Sequence, residues 1–121
     1  MSEPLAIIIE DDVEISRIFD LSLHGEFEIE IIGDGNEALE RLQHVTPSVI
    51  ILDLNLPGIG GGEILKTIRS DPRLMHIPVM LATADVVQAA SLQDEADLVL
   101  VKPISPLQLR SLALRLKSMH E

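Results

Sequence analysis

Three acidic residues, one threonine and one lysine of this 121-residue chain stand directly after short apolar runs. Glu10 and Asp11 follow Leu5–Ile9, Asp53 follows 48–52, Thr83 follows 78–82 and Lys102 follows Leu98–Val101. Carboxylates gathered in one place repel one another unless a cation joins them. A hard divalent ion takes oxygen ligands, and Mg²⁺ does so with few carboxylates while keeping several waters. A carboxylate is also a nucleophile able to form an acyl phosphate. Phosphoryl transfer asks mainly for in-line positioning and for neutralised charge around the equatorial oxygens. The ammonium of Lys102 supplies charge and the hydroxyl of Thr83 a hydrogen bond. The set reads as a Mg²⁺-dependent acceptor site in which Asp53 takes the phosphoryl group.

Each residue alone has an ordinary structural role. An acidic pair after a strand commonly makes a turn or a helix cap, and Asp12 sits where it would cap the next helix. An Asp ending a strand is often a loop residue, a lone Thr a cap, a lone Lys a solvated charge. Their joint placement at four run ends favours the chemical reading.

The elements that must position these residues follow from periodicity. The runs at Leu5–Ile9, 48–52, 78–82 and Leu98–Val101 are short, apolar throughout and rich in branched residues, so they read as strands buried on both faces. The segment 27–32 alternates more, as a strand nearer an edge does. Between them lie helical patterns. Ile15, Ile18 and Phe19 share a face over 13–24. Segment 35–44 opens after Asp34, with Glu37 at capping-box spacing. Ile64, Leu65 and Ile68 share a face after the glycine cluster. Ser105, Pro106 and Gln108 form a helix start, followed by Leu109, Leu112, Leu116 and Met119 at helical spacing. Segment 85–94 reads as a short, weak helix. Strand and helix alternate five times, which implies a parallel sheet covered on both faces, with its ligand site at the carboxyl ends of the strands.

Composition sets bounds. The length suits one domain spanning 1–121. No cysteine is present, so disulfides and thiolate metal sites are excluded. The start MSEPLAIIIEDD lacks a basic region and a long apolar run, so no signal peptide is expected. No stretch reaches the roughly 20 apolar residues of a membrane helix. A soluble, cytoplasmic protein is expected. A net charge of −11 argues against direct contact with nucleic acid phosphates. Two Phe, with no Tyr or Trp, leave little for stacking on bases. The four histidines, at 24, 44, 76 and 120, show no metal spacing and are expected at the surface. The cluster Gly58-Ile59-Gly60-Gly61-Gly62 lacks the signatures of a nucleotide loop, so a flexible loop is expected there.

The segments IIIEDD, VIILDLNLPGIGG, PVMLATAD and LVLVKPI occur in this order along the chain. Together they resemble the receiver domain of two-component response regulators over essentially the whole sequence. The resemblance implies a flavodoxin-like, doubly wound (βα)5 fold with a five-stranded parallel sheet in the order 2-1-3-4-5. It implies Asp53 as phosphoacceptor, Asp11 as a direct Mg²⁺ ligand, Glu10 acting largely through water, and the carbonyl of Asn55 as a further ligand. Thr83 matches the switch hydroxyl and Lys102 the phosphate-binding lysine, with a cis bond to Pro103. The donor would be a phosphohistidine on a histidine kinase or phosphotransfer protein. The protein would promote its own phosphorylation and dephosphorylation rather than act as an enzyme. The output partner is not named by the sequence. A homodimer through the face of the fourth helix, fifth strand and fifth helix is one arrangement the resemblance allows.

Three departures concern that face. Val99 stands where the family usually has Tyr or Phe. Glu95-Ala96 stands where a Gly-Ala pair is usual. Thr83 and Lys102 are 19 positions apart (102 − 83), shorter than the family spacing, so a short or irregular fourth helix is expected. Asn55 and Asp85 each lie two residues beyond a site residue, where polar side chains would orient water and shorten the life of the phosphoryl group. Two rival readings remain. A phosphatase of the haloacid-dehalogenase type also uses an Asp nucleophile with Mg²⁺, but places it on its first strand with a second Asp two residues on. A degenerate receiver would bind partners without phosphorylation.

Overall fold

The computed structural model describes residues 3–119. Strands β1 (Leu5–Ile9), β2 (Glu28–Ile32), β3 (Val49–Leu52), β4 (Val79–Thr83) and β5 (Leu98–Val101) alternate with helices α1 (Val13–Leu23), α2 (Gly35–Leu42), α3 (Gly61–Ser70), α4 (Val86–Leu92) and α5 (Pro106–Met119). The strands form one parallel sheet in the order β2-β1-β3-β4-β5. This is the doubly wound α/β architecture expected from the alternation of runs.

Successive side chains of a strand point to opposite faces. Ile7 and Ile9 of β1, Ile50 and Leu52 of β3, and Val79 and Leu81 of β4 therefore face α2, α3 and α4, where Ala38, Leu42, Ile64, Leu65, Ile68, Ala89 and Leu92 meet them. Ala6, Ile8, Val49, Ile51, Met80, Ala82 and Leu100 face α1 and α5, and meet Phe19, Leu23, Leu109, Ala113 and Leu116. Each fully buried Ile or Leu contributes on the order of 2 kcal/mol of transfer free energy.

Helix starts follow their caps. Asp12 Oδ1 accepts from Glu14 N at 2.9 Å and Ile15 N at 3.1 Å. Asp34 Oδ1 accepts from Asn36 N and Glu37 N. Ser105 Oγ accepts from Gln108 N at 3.3 Å. Two expected core positions differ. Ile18 is 45% exposed and Met119 is 71% exposed. Ile18 lies toward the edge of the α1 stripe, and Met119 lies one turn beyond Leu116, at the end of α5. His24, His44 and His76 are exposed, as expected, and His120 lies outside the described residues.

The lower edge of the sheet is tied by Arg69 of α3. Its guanidinium donates to the carbonyls of Glu95, Met75 and Ile77 and to Asp97 Oδ1. Asp97 Oδ1 also accepts from Val79 N at 2.8 Å. Arg73 similarly donates to the carbonyls of Leu42 and Val45.

Candidate acceptor site

Five polar or charged side chains are buried among the described residues: Glu10, Ser16, Ser22, Asp53 and Thr83. Ser16 and Ser22 return their hydroxyls to carbonyls of their own helix. The other three stand at the carboxyl ends of β1, β3 and β4. Register puts them there. Ile9 pairs with Leu52, and Leu52 with Leu81. Backbone bonds extend the ladder one residue further: Asp53 N donates to Ile9 O and Lys102 N to Thr83 O, both at 2.9 Å.

Burying a charge costs much free energy unless it is paired. Lys102 Nζ supplies the pairing, 2.6 Å from Glu10 Oε1 and 3.3 Å from Asp53 Oδ2. Asp53 Oδ1 accepts from Asn55 N at 3.1 Å, and Glu10 Oε2 from Asp12 N at 3.2 Å. Burial pushes the Glu10 carboxyl up to about 7, and its neighbour Asp53 adds to the rise against the pull of Lys102. The Lys102 ammonium sits above its ordinary range. Burial opposes this, but the hydrogen bond and charge of Glu10, with those of Asp53, outweigh it.

Carboxylate oxygens of Glu10, Asp11 and Asp53 all lie within 4.8 Å of one another. Asp11 is exposed while its two neighbours are buried. An all-oxygen donor set with an open side suits a hard cation that keeps water in its shell. The cluster thus fits Mg²⁺ chemically.

Thr83 is fully buried, and its Oγ1 accepts from Asp85 N at 3.0 Å. The Asp85 carboxylate caps α4 by accepting from Gln88 N at 2.9 Å. Its role in this state is therefore that of a cap. The Lys102–Pro103 peptide bond is cis. Helix α4 has only seven residues, in keeping with the short spacing between Thr83 and Lys102. Val99 is half-buried and packs against the layer formed by α2, α3 and α4.

The glycine cluster does more than loosen a loop. Gly61 and Gly62 begin α3, and Gly60 caps it. Sequence reasoning did not single out Gly35. Its N–H donates to Pro57 O at 3.1 Å, joining the α2 start to the loop beyond Asp53. The Asp34–Gly35 pair was visible only as a helix start, because its partner lies more than twenty positions away.

A doubly wound sheet with a lysine-paired acidic cluster at its carboxyl edge defines a class of phosphoacceptor folds. Residues 6–114 match the model of the response regulator receiver domain, and the chain belongs to that family. It is 32% identical over 107 residues to the DNA-binding response regulator MtrA of Mycolicibacterium paratuberculosis, covering 85% of this chain and 46% of that one. The chain spans about half the length of the curated relatives it matches. A putative response regulator from Chloroflexus aurantiacus superposes with a TM-score of 0.90 at 26% identity, covering 97% of this chain and 99% of that one. The Mn²⁺-bound form of response regulator Rcp1 superposes with a TM-score of 0.80 at 26% identity, covering 95% and 92%. The chain is thus a receiver domain of two-component signalling. The expectation of no nucleic-acid partner gains no support from relatives that are themselves named DNA-binding.

Proposed function

We propose that this receiver accepts a phosphoryl group on Asp53 from a phosphohistidine of a histidine kinase or phosphotransfer protein. The observation that carries the reading is the buried Asp53 carboxylate, held between Lys102 and Asn55 N beside Glu10 and Asp11. An Asp53 oxygen attacks phosphorus, a P–O bond forms, and the P–N bond to the donor imidazole breaks with its electron pair leaving on nitrogen. Asp11, Asp53 and the Asn55 carbonyl would hold Mg²⁺, with Glu10 contributing through water. The ion, when bound, neutralises charge on the transferring group. Lys102 gives up its hold on Asp53 and pairs with a phosphoryl oxygen. Thr83 releases Asp85 N and donates to another. Asn55 and Asp85 flank the acyl phosphate and orient water for its loss.

Output is assigned to the face of α4, β5 and α5. Val86, Val87 and Val101 are exposed there, which suits an apolar partner or a second copy of the chain. The same three-layer module works in the cytoplasm. In the described residues no helix is long and apolar enough to cross a membrane. Net charge of −11 favours protein partners over direct phosphate contact for this segment.

Mass spectrometry after incubation with acetyl phosphate and Mg²⁺ tests the proposal. Wild type should gain one phosphoryl group and Asp53→Asn should not. No gain by wild type, or undiminished labelling of the variant, overturns it. A second reading, binding without phosphorylation, is favoured by Val99, because no aromatic ring is there to follow Thr83. It predicts that partner affinity is unchanged by beryllofluoride.

A further inference from the structure

The loop from Leu54 to Gly60 carries the Asn55 carbonyl, and two helix starts grip it. Gly61, the first residue of α3, donates its N–H to Leu54 O at 3.1 Å. A Cβ at Gly61 would lie 2.4 Å from Asp53 O and 2.6 Å from Leu54 Cα. On the other side, Gly35 N donates to Pro57 O. A Cβ at Gly35 would lie only 1.9 Å from Ile59 O, with Ile59 C at 2.9 Å and Ile59 N at 3.0 Å. Gly58 closes the same contact. It has a φ of +77°, and a Cβ there would meet the side chains of Asn36 and Asp34 at 3.1 Å. The obstacles at Gly35 and Gly61 are backbone atoms, which cannot swing away as a long side chain does. Backbone-to-backbone contact of this closeness is available only to glycine.

From this geometry we infer that Gly35, at the start of α2, is a positioning residue for the cation site. It acts by fixing the loop that presents the Asn55 carbonyl, although it is itself no ligand. The inference rests on the assignment of that carbonyl to the site. Gly35→Ala forces Ile59 outward and drags the loop with it. Asp53 ends the β3 side: its backbone is held by the bond to Ile9 O and its Oδ2 by Lys102, so only its Oδ1, which accepts from Asn55 N, depends on the loop. Cation binding should therefore suffer more than the acceptor's reactivity. Losing the support behind a metal ligand typically weakens affinity by about 10- to 100-fold.

The test compares wild type, Gly35→Ala and Gly62→Ala. At Gly62 a Cβ would make only ordinary contact, 3.6 Å from Leu92 Cδ1. Mg²⁺ affinity is read by calorimetry or NMR titration, and labelling by acetyl phosphate is read at saturating Mg²⁺. Amide exchange of residues 55–60 is read without metal. Expected for Gly35→Ala are about tenfold weaker Mg²⁺ binding, labelling at saturation within about threefold of wild type, and faster exchange in the loop. Gly62→Ala should match wild type in all three. If Gly35→Ala does not fold, Gly58→Ala strains the loop side of the same junction through its positive φ and should weaken Mg²⁺ binding in the same direction, by at least about threefold. Wild-type Mg²⁺ affinity in a folded variant overturns this inference alone. So does a loss of labelling at saturation as large as the loss of affinity. A wild type that binds no Mg²⁺ overturns the site assignment together with it.

Discussion

Lys102 lies closer to Glu10 than to Asp53, at 2.6 Å against 3.3 Å. The residue assigned to the phosphate is thus chiefly the counter-ion of the neighbouring glutamate before phosphorylation. Replacing it exposes two roles with opposite signs. Lys102→Met leaves Glu10 and Asp53 buried without their partner, which should lower metal-free stability by about 2–4 kcal/mol in denaturant titration. The same change removes a cation that competes for the carboxylates. Mg²⁺ affinity should therefore rise, by about tenfold, while labelling by acetyl phosphate slows. Weaker Mg²⁺ binding in this variant would contradict the charge balance described.

Acid titration should carry the signature of Glu10. Its carboxyl has an ordinary value of 4.5 and is raised to about 7 in the fold, with burial the main cause. Between those values the folded protein holds a proton that the unfolded chain has released. Glu10 therefore subtracts stability as pH rises across that window, and the loss is complete above it. Denaturant titrations in chelator should show this component, on the order of 3 kcal/mol, and Glu10→Gln should abolish it. A window without slope in wild type would rule the effect out. Glu30 contributes with the opposite sign. The hydrogen bond from Arg41 lowers the carboxyl of this half-buried residue, so its small, solvent-screened contribution is present above the ordinary value and fades as pH falls.

Asp85 serves two neighbours at once. Its N–H reaches Thr83 and its carboxylate caps α4. Asp85→Ala should cost about 1 kcal/mol through the lost cap, visible as fraying of α4 in amide exchange. It should also lengthen the acyl phosphate lifetime several-fold in Mg²⁺, followed by loss of label over time. A lifetime equal to that of wild type would leave Asp85 as a cap only.

Arg69 offers a test far from the chemistry. Its four hydrogen bonds reach segments that enter β4 and β5. Arg69→Ala should destabilise the fold by about 3 kcal/mol, and Arg69→Lys should recover little, because an ammonium cannot serve four acceptors in the guanidinium plane. Thermal unfolding of the two variants checks this.

The sheet and the acidic edge were legible because both are local. A buried parallel strand is a run of four or five apolar residues, and the next residue stands at the carboxyl edge of the sheet, where the chain leaves the ladder. Glu10, Asp53 and Lys102 fall there for that reason, and Thr83 ends its strand. Caps at Asp12, Asp34 and Ser105 were equally local. Arg69 was not legible, since its partner Asp97 is 28 positions away and its other acceptors are carbonyls of no particular residue type. Gly35 was hidden for the same reason. Ile18 and Met119 fit the helical period, but exposure depends on where the neighbouring element stops, which periodicity does not carry.

The near-absence of aromatic rings in the core has a practical side. The layer against α2, α3 and α4 is wholly aliphatic and the other holds both Phe19 and Phe27, with Ile7 and Ile9 facing the first layer and Ile8 the second. Three consecutive isoleucines of β1, each carrying two methyl groups and all leading to Glu10, make a built-in spectroscopic ruler across the sheet. One isoleucine-labelled sample would record, side by side, how each layer answers an event at the strand ends.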